Sequence, residues 1–129
     1  MLFDGETLLH ETVAARHPKM LDCLLSKTRM VNGINIMQKT PLHVAIETNN
    51  LYAIQRLLDW GADASLQDEN GYTAAHYAAE KNDTHCLIIL DSHKVHLDQV
   101  TREDFVGPFT IACTKGNLKS AQFILSRCG

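Results

Sequence analysis

The chain has 129 residues, 45% of them hydrophobic and 21% charged, which is the size and make-up of one folded domain with its own core. Twelve Lys and Arg against fifteen Asp and Glu give a formal charge of −3 with no block of like charge, which argues against a nucleic-acid partner. No apolar run nears the ~20 residues of a bilayer span, no charged-then-apolar leader opens the chain, and three prolines with seven glycines are too few for a linker, so a soluble intracellular protein with no membrane partner is expected.

The first predicted helix carries Thr7-Leu8-Leu9-His10 and Val13 and ends at the polar break Arg16-His17. A second follows with Leu21, Leu24 and Leu25 at the offsets of one helical face. After the loop Val31 to Met37 comes Thr40-Pro41-Leu42-His43. Thr40 can cap a helix with its hydroxyl, and Pro41 supplies a preset φ at the first helical position, where its missing amide had no partner anyway. That helix runs to Asn49-Asn50, and the next presents Ile54, Leu57 and Leu58. A linking stretch from Gly61 to Gly71 ends in the turn Asp68-Glu69-Asn70-Gly71. Thr73-Ala74-Ala75-His76 opens the third pair, broken at Asn82-Asp83 and continued by Leu87 and Leu90. Gly107-Pro108-Phe109-Thr110 opens the fourth, broken at Gly116-Asn117 and continued by Ala121, Ile124 and Leu125.

The groups beginning at Thr7, Thr40 and Thr73 recur at a period of 33 residues, and the one at Gly107 comes one residue late. This period and the T-P-L-H-V-A at 40–45 resemble the ankyrin repeat, most closely from Thr40 to Ala79, where G-A-D at 61–63 and T-A-A-H-Y-A-A at 73–79 also follow the family pattern. The resemblance implies an all-α solenoid of four helix-turn-helix units joined by short β-hairpin-like loops. The units fall at about residues 4–36, 37–69, 70–103 and 104–129 of a single domain. Gln38 stands where the family has a turn glycine, Thr28 and Lys94 replace the glycine after the second helix, and Gly107 and Thr110 replace the Thr and His of the fourth unit, which should be the least regular.

His10, His43 and His76 form a row in such a stack, and helices packed about 8–10 Å apart cannot bring all three to one metal at bonds of about 2 Å. The resemblance gives these histidines structural hydrogen bonds, with Thr7, Thr40, Pro41 and Thr73 as their structural companions. The other histidines, at 17, 85, 93 and 96, belong to turns or polar faces; His93 and His96 could take a stray metal. No nucleophile motif, phosphate-binding glycine loop or H-E-x-x-H is present, so neither catalysis nor a cofactor is expected. Asp68 with Glu69 and Glu103 with Asp104 are taken as solvated turn residues. Cys23, Cys86, Cys113 and Cys128 form no C-x-x-C pair and are expected to be reduced and buried.

A repeat stack leaves a concave face of loop tips and first helices on which a protein partner binds. Carried over by position, the resemblance places Ile34, Ile36, Met37 and Lys39 on one tip and Gln67, Glu69, Asn70 and Tyr72 on the next, with Glu47, Thr48, Glu80 and Lys81 on the first helices. Tyr72 is expected to be exposed. Trp60 either packs under the linking loop or anchors a partner. The loop Val31 to Met37 is unusually apolar and either packs on a neighbour or waits for one.

Q-K-T-P-L-H-V-A-I-E-T-N-N at 38–50 and G-E-T-L-L-H at 5–10 resemble the IκB group and the ankyrin halves of NF-κB precursors. This implies a Rel-family transcription factor as partner and the cytoplasm, with the nucleus second, as location. The insertions and tails of IκB are absent, as the tails would be in a short viral mimic. The four-repeat inhibitors of cyclin-dependent kinases resemble the chain less, because their shortened helix is not matched at Glu47 to Asn50. The alternatives are a recruitment domain from a larger scaffold, channel or enzyme, and a substrate-modifying enzyme, which has no motif behind it. Leu8, Leu9 and Val13 near one end and Cys128-Gly129 at the other leave no polar cap, so neighbours or self-association are expected there.

Overall fold

The computed structural model describes residues 4–27, 31–81, 84–97 and 106–128, with the side chains of 4–7 and 128 outside that description. Among the described residues every regular element is a helix: α1 (Asp4–Ala15), α2 (Pro18–Lys27), α3 (Pro41–Glu47), α4 (Leu51–Asp59), α5 (Ala74–Ala79), α6 (His85–Ser92), α7 (Pro108–Lys115) and α8 (Leu118–Cys128). They form four helix-turn-helix pairs, the all-α architecture expected. The chain divides into two compact halves, Met1–Asp63 and Ala64–Gly129.

In the N-terminal half α1 packs on α3 and α2 on α4. The side chains that meet are spaced three and four apart: Leu9 and Val13, Leu21 and Leu25, Leu42 and Ile46, Ile54 and Leu57, each at most 1% exposed. Burying each of these contributes about 1.5–3 kcal/mol, so the apolar stripe and not helix propensity holds helices as short as α3. In the C-terminal half α5 packs on α7 and α6 on α8. Ala74, Ala75, Ala78 and Ala79 keep α5 thin, and Leu87, Leu90, Ile111, Ala112 and Ile124 complete that core. Leu125 departs from its expected place in the stripe and is 57% exposed. Asn117, Ser120 and Ile124 are buried, at the places that Asn50, Ala53 and Leu57 hold at α4 once the one-residue delay of the fourth pair is allowed for.

The Thr-x-x-His group acts as a local lock. At α3 the Thr40 amide donates to His43 Nδ1 at 3.1 Å, and the His43 amide donates to the Thr40 hydroxyl at 3.3 Å. Because Nδ1 accepts, the Thr40 hydroxyl must be the donor in its 2.9 Å contact with that nitrogen, and the ring proton sits on Nε2. Pro41 begins the helix. Thr73 and His76 repeat the two contacts to the ring nitrogen at α5, with 3.1 Å from the amide and 2.8 Å from the hydroxyl. Gly107 starts α7 without any side-chain cap, so the irregularity expected in the fourth unit is a missing lock at an intact helix.

Thr7 does not occupy the capping position its motif implied. Helix α1 begins at Asp4, leaving Thr7 inside it, and the Thr7 side chain lies outside the described residues. Leu8 stands where Pro41 does, so no proline ring at that place sets the helix start there. The cysteines also depart from expectation. Cys86 is buried, but Cys23 and Cys113 are exposed because each lies off the apolar stripe of its helix, and Cys128 has no described side chain. Thr28, Asn82, Asp83, Glu103 and Asp104 fall outside the described residues.

Candidate functional site

The tip of the N-terminal half is built by Asn35. Its side-chain oxygen accepts from the amides of Met37 at 2.9 Å and Lys39 at 3.0 Å. The backbone closes the same loop, with Asn35 donating to Lys39 O at 3.1 Å and Gln38 donating to Asn35 O at 2.9 Å. The side chains between these anchors have nowhere to fold back. Ile36 is 95% exposed, flanked by Ile34 at 49% and Met37 at 46%, while Val31 is tucked in at 6%. The apolar loop therefore splits: Val31 packs, and the three residues beyond it face outward.

Lys39 and Glu47 form an ion pair at 2.8 Å that joins the tip to the end of α3. His10 Nε2 lies 2.7 Å from the Lys39 carbonyl, which can only accept, so the imidazole donates and ties α1 to this loop. Thr48 is occupied internally. Its hydroxyl donates to Val44 O at 2.8 Å, and its carbonyl accepts from the Arg16 guanidinium at 2.9 Å.

The tip of the C-terminal half is built by Asp68, which is buried and not the solvated turn residue expected. Its Oδ1 accepts from the amides of Asn70 at 2.9 Å and Tyr72 at 3.0 Å, and its Oδ2 accepts from the Tyr77 hydroxyl. Glu69 and Asn70 are exposed, whereas Gln67 and Tyr72 are half-buried. Tyr72, expected to be displayed, instead stacks on the His76 imidazole with centroids 5.3 Å apart and planes 13° from parallel. His76 donates from Nε2 to Val106 O at 2.8 Å. Burial pushes its pKa below the ordinary 6.5, against the opposing effect of that carbonyl and of Asp68 and Glu80. Glu80 is exposed and faces Lys115 at 3.9 Å, and the Lys81 carbonyl accepts from Ser120 at 3.1 Å. Trp60 is 45% exposed at the end of α4.

Sequence reasoning overlooked two buried amides. Asn50 donates from Nδ2 to Val13 O at 3.1 Å while its oxygen accepts from the Ala53 amide at 3.3 Å. Asn117 donates to Ala79 O at 2.9 Å. Both are the second residue of a polar break, and that shared type and place was the available signal. Among the described residues no three His, Cys, Asp or Glu side chains converge as a metal set would, and no helix is long and apolar enough to cross a membrane.

Residues 42–90 match the family model described as ankyrin repeats (many copies). The chain is 29% identical over 97 residues to the nuclear factor NF-kappa-B p105 subunit of Gallus gallus, covering 70% of this chain and 10% of that protein. It is 33% identical over 85 residues to the NF-kappa-B inhibitor epsilon of Homo sapiens, covering 64% and 17%. With Rabankyrin-5 of Homo sapiens it shares 37% over 90 residues, covering 69% and 8%. The chain thus spans less than a fifth of the length of these curated relatives.

Proposed function

Since the chain is an ankyrin-repeat protein, we propose that it is a non-enzymatic module that binds another protein through its loop tips and the exposed ends of its first helices. The observation behind this reading is Ile36, almost fully exposed between Ile34 and Met37 on a loop whose turn the Asn35 side chain closes. An apolar side chain already held out on a hydrogen-bonded turn buries its surface on a partner without the loop having to be ordered first, which is how apolar anchors contribute affinity. Lys39 with Glu47 in the N-terminal half, and Glu69 with Asn70 in the C-terminal half, supply polar groups near each tip.

The partner is a Rel-family transcription factor, held in the cytoplasm or, second, in the nucleus. The likeness to an NF-kappa-B inhibitor and to an NF-kappa-B subunit supports this, together with the segment at 38–50. The alternative is a recruitment domain of a longer protein, supported by the likeness to Rabankyrin-5 and by the small share of each relative that the chain spans.

Affinity capture from a lysate tests the module. The native chain should retain a protein that the double variant Ile36→Asp, Met37→Asp loses while its melting is unchanged; equal retention by both would refute the assignment of the tip. Co-precipitation with a purified Rel homology domain tests the finer reading, and no complex there would leave the recruitment alternative.

A further inference from the structure

Helix α3 leads away from the tip and ends beside a cleft of about 470 Å³ in the N-terminal half, lined by Arg16, His17, Lys19, Asp22, Asn50 and Tyr52 among others. Its volume lies within the range of small-ligand sites and far exceeds that of a single ion. Its charge runs against that of the chain. Arg16 and Lys19 bring two cations to the lining, and the one carboxylate there is already engaged. Asp22 accepts from the Tyr52 hydroxyl at 2.6 Å and from Arg56 Nε at 3.0 Å, so a third cation outside the cleft offsets its charge.

The two cations differ in freedom. Arg16 is fixed, because its guanidinium donates to Thr48 O at 2.9 Å and keeps further N–H donors for a ligand. Lys19 is exposed and makes no polar contact among the described residues. A fixed fork beside a mobile point charge suits an oxyanion that two donors grasp together. Between and beyond them, Leu21 and the half-exposed Tyr52 ring give the cleft an apolar wall.

We propose that this cleft binds a phosphate monoester carrying a ring-sized apolar body, the dianion held by Arg16 and Lys19 and the body resting against Leu21 and Tyr52. The site is separate from the tip, and it stands or falls independently of which protein the tip engages. A phosphotyrosine side chain and a small soluble aryl phosphate share this chemistry.

Two-dimensional amide NMR of the whole chain, titrated with phenyl phosphate, tests the site. Saturable shifts confined to residues 16–22 and 48–52 are expected, with phenyl phosphate binding more tightly than either inorganic phosphate or phenol. Lys19→Gln should weaken binding by roughly fivefold or more, with melting unchanged because Lys19 supports nothing in the fold. A short phosphotyrosine peptide forms the second arm: tighter binding than phenyl phosphate identifies a protein source, and weaker binding a small molecule. No saturation by about 20 mM phenyl phosphate, equal binding of phenol, or an affinity that Lys19→Gln leaves unchanged would each overturn the proposal.

Discussion

Asn35 and Asp68 occupy equivalent places one period apart, and each uses a single side-chain oxygen to accept from the amides two and four residues ahead. The same bonds shape both tips, but only Asp68 also receives the Tyr77 hydroxyl and is buried. Removing Asp68 strands a buried hydroxyl and two partly buried amides, whereas removing Asn35 leaves one exposed and one partly buried amide that water can reach. Asp68→Ala should therefore cost about 2–4 kcal/mol and Asn35→Ala about 1 kcal/mol. Urea unfolding followed by circular dichroism reads both, and equal costs would contradict the burial argument.

Left-handed backbone at Gln38 (φ 60°) and Lys94 (φ 62°) matches that at Gly71 (φ 83°) and Gly61 (φ 87°), the equivalent positions one period away. A side chain at such φ costs about 1–2 kcal/mol, partly offset by the greater freedom glycine has in the unfolded chain. Gln38→Gly and Lys94→Gly should each raise stability by about 0.5–1 kcal/mol. Gly61→Ala should lower it although a methyl group there meets nothing within 4 Å, because the penalty lies in the backbone. Midpoints of denaturant unfolding distinguish these signs.

The Thr40–His43 lock should behave as one unit. Thr40→Ala loses the hydroxyl that bridges the His43 amide and ring, at about 1 kcal/mol, and His43→Ala leaves the Thr40 amide unpartnered and opens a cavity, at about 2–4 kcal/mol. The double variant should cost about 1 kcal/mol less than the sum, since each single change already breaks the shared bond. A double-mutant cycle measures that coupling, and strict additivity would show the bonds to be independent.

His76 makes stability depend on pH. Its folded-state pKa lies below the 6.5 of the unfolded chain, so between the two the unfolded chain binds more protons. The contribution is complete above pH 6.5 and is lost as pH falls from there through the lower folded-state value. Unfolding at pH 7.5 and at pH 5 should show this loss, and His76→Gln should flatten the profile. An unchanged slope in that variant would assign the effect to another group.

The recurring Thr-x-x-His group, the Thr40-Pro41 helix start and apolar residues three and four apart were enough to read four helix pairs, because helix starts and apolar faces depend on neighbours within a turn or two of chain. The left-handed positions at 38 and 94 were legible for the same reason: a missing glycine at a known place in the period marks the strain. Which polar residues are interior was not legible. Asn50 reaches the Val13 carbonyl, and Asn117 the Ala79 carbonyl, only when helices far apart in sequence are packed together. Asp68 is read as turn chemistry until Tyr77 covers it, and Tyr72 as a displayed side chain until His76 offers a ring to stack on. The cleft by α2 likewise needs the end of α3 beside the end of α1. Local pattern decides where helices begin and which face is apolar, since backbone geometry repeats. Which polar atom is buried, paired or left facing outward depends on what the neighbouring helix brings to it, and only packing supplies that.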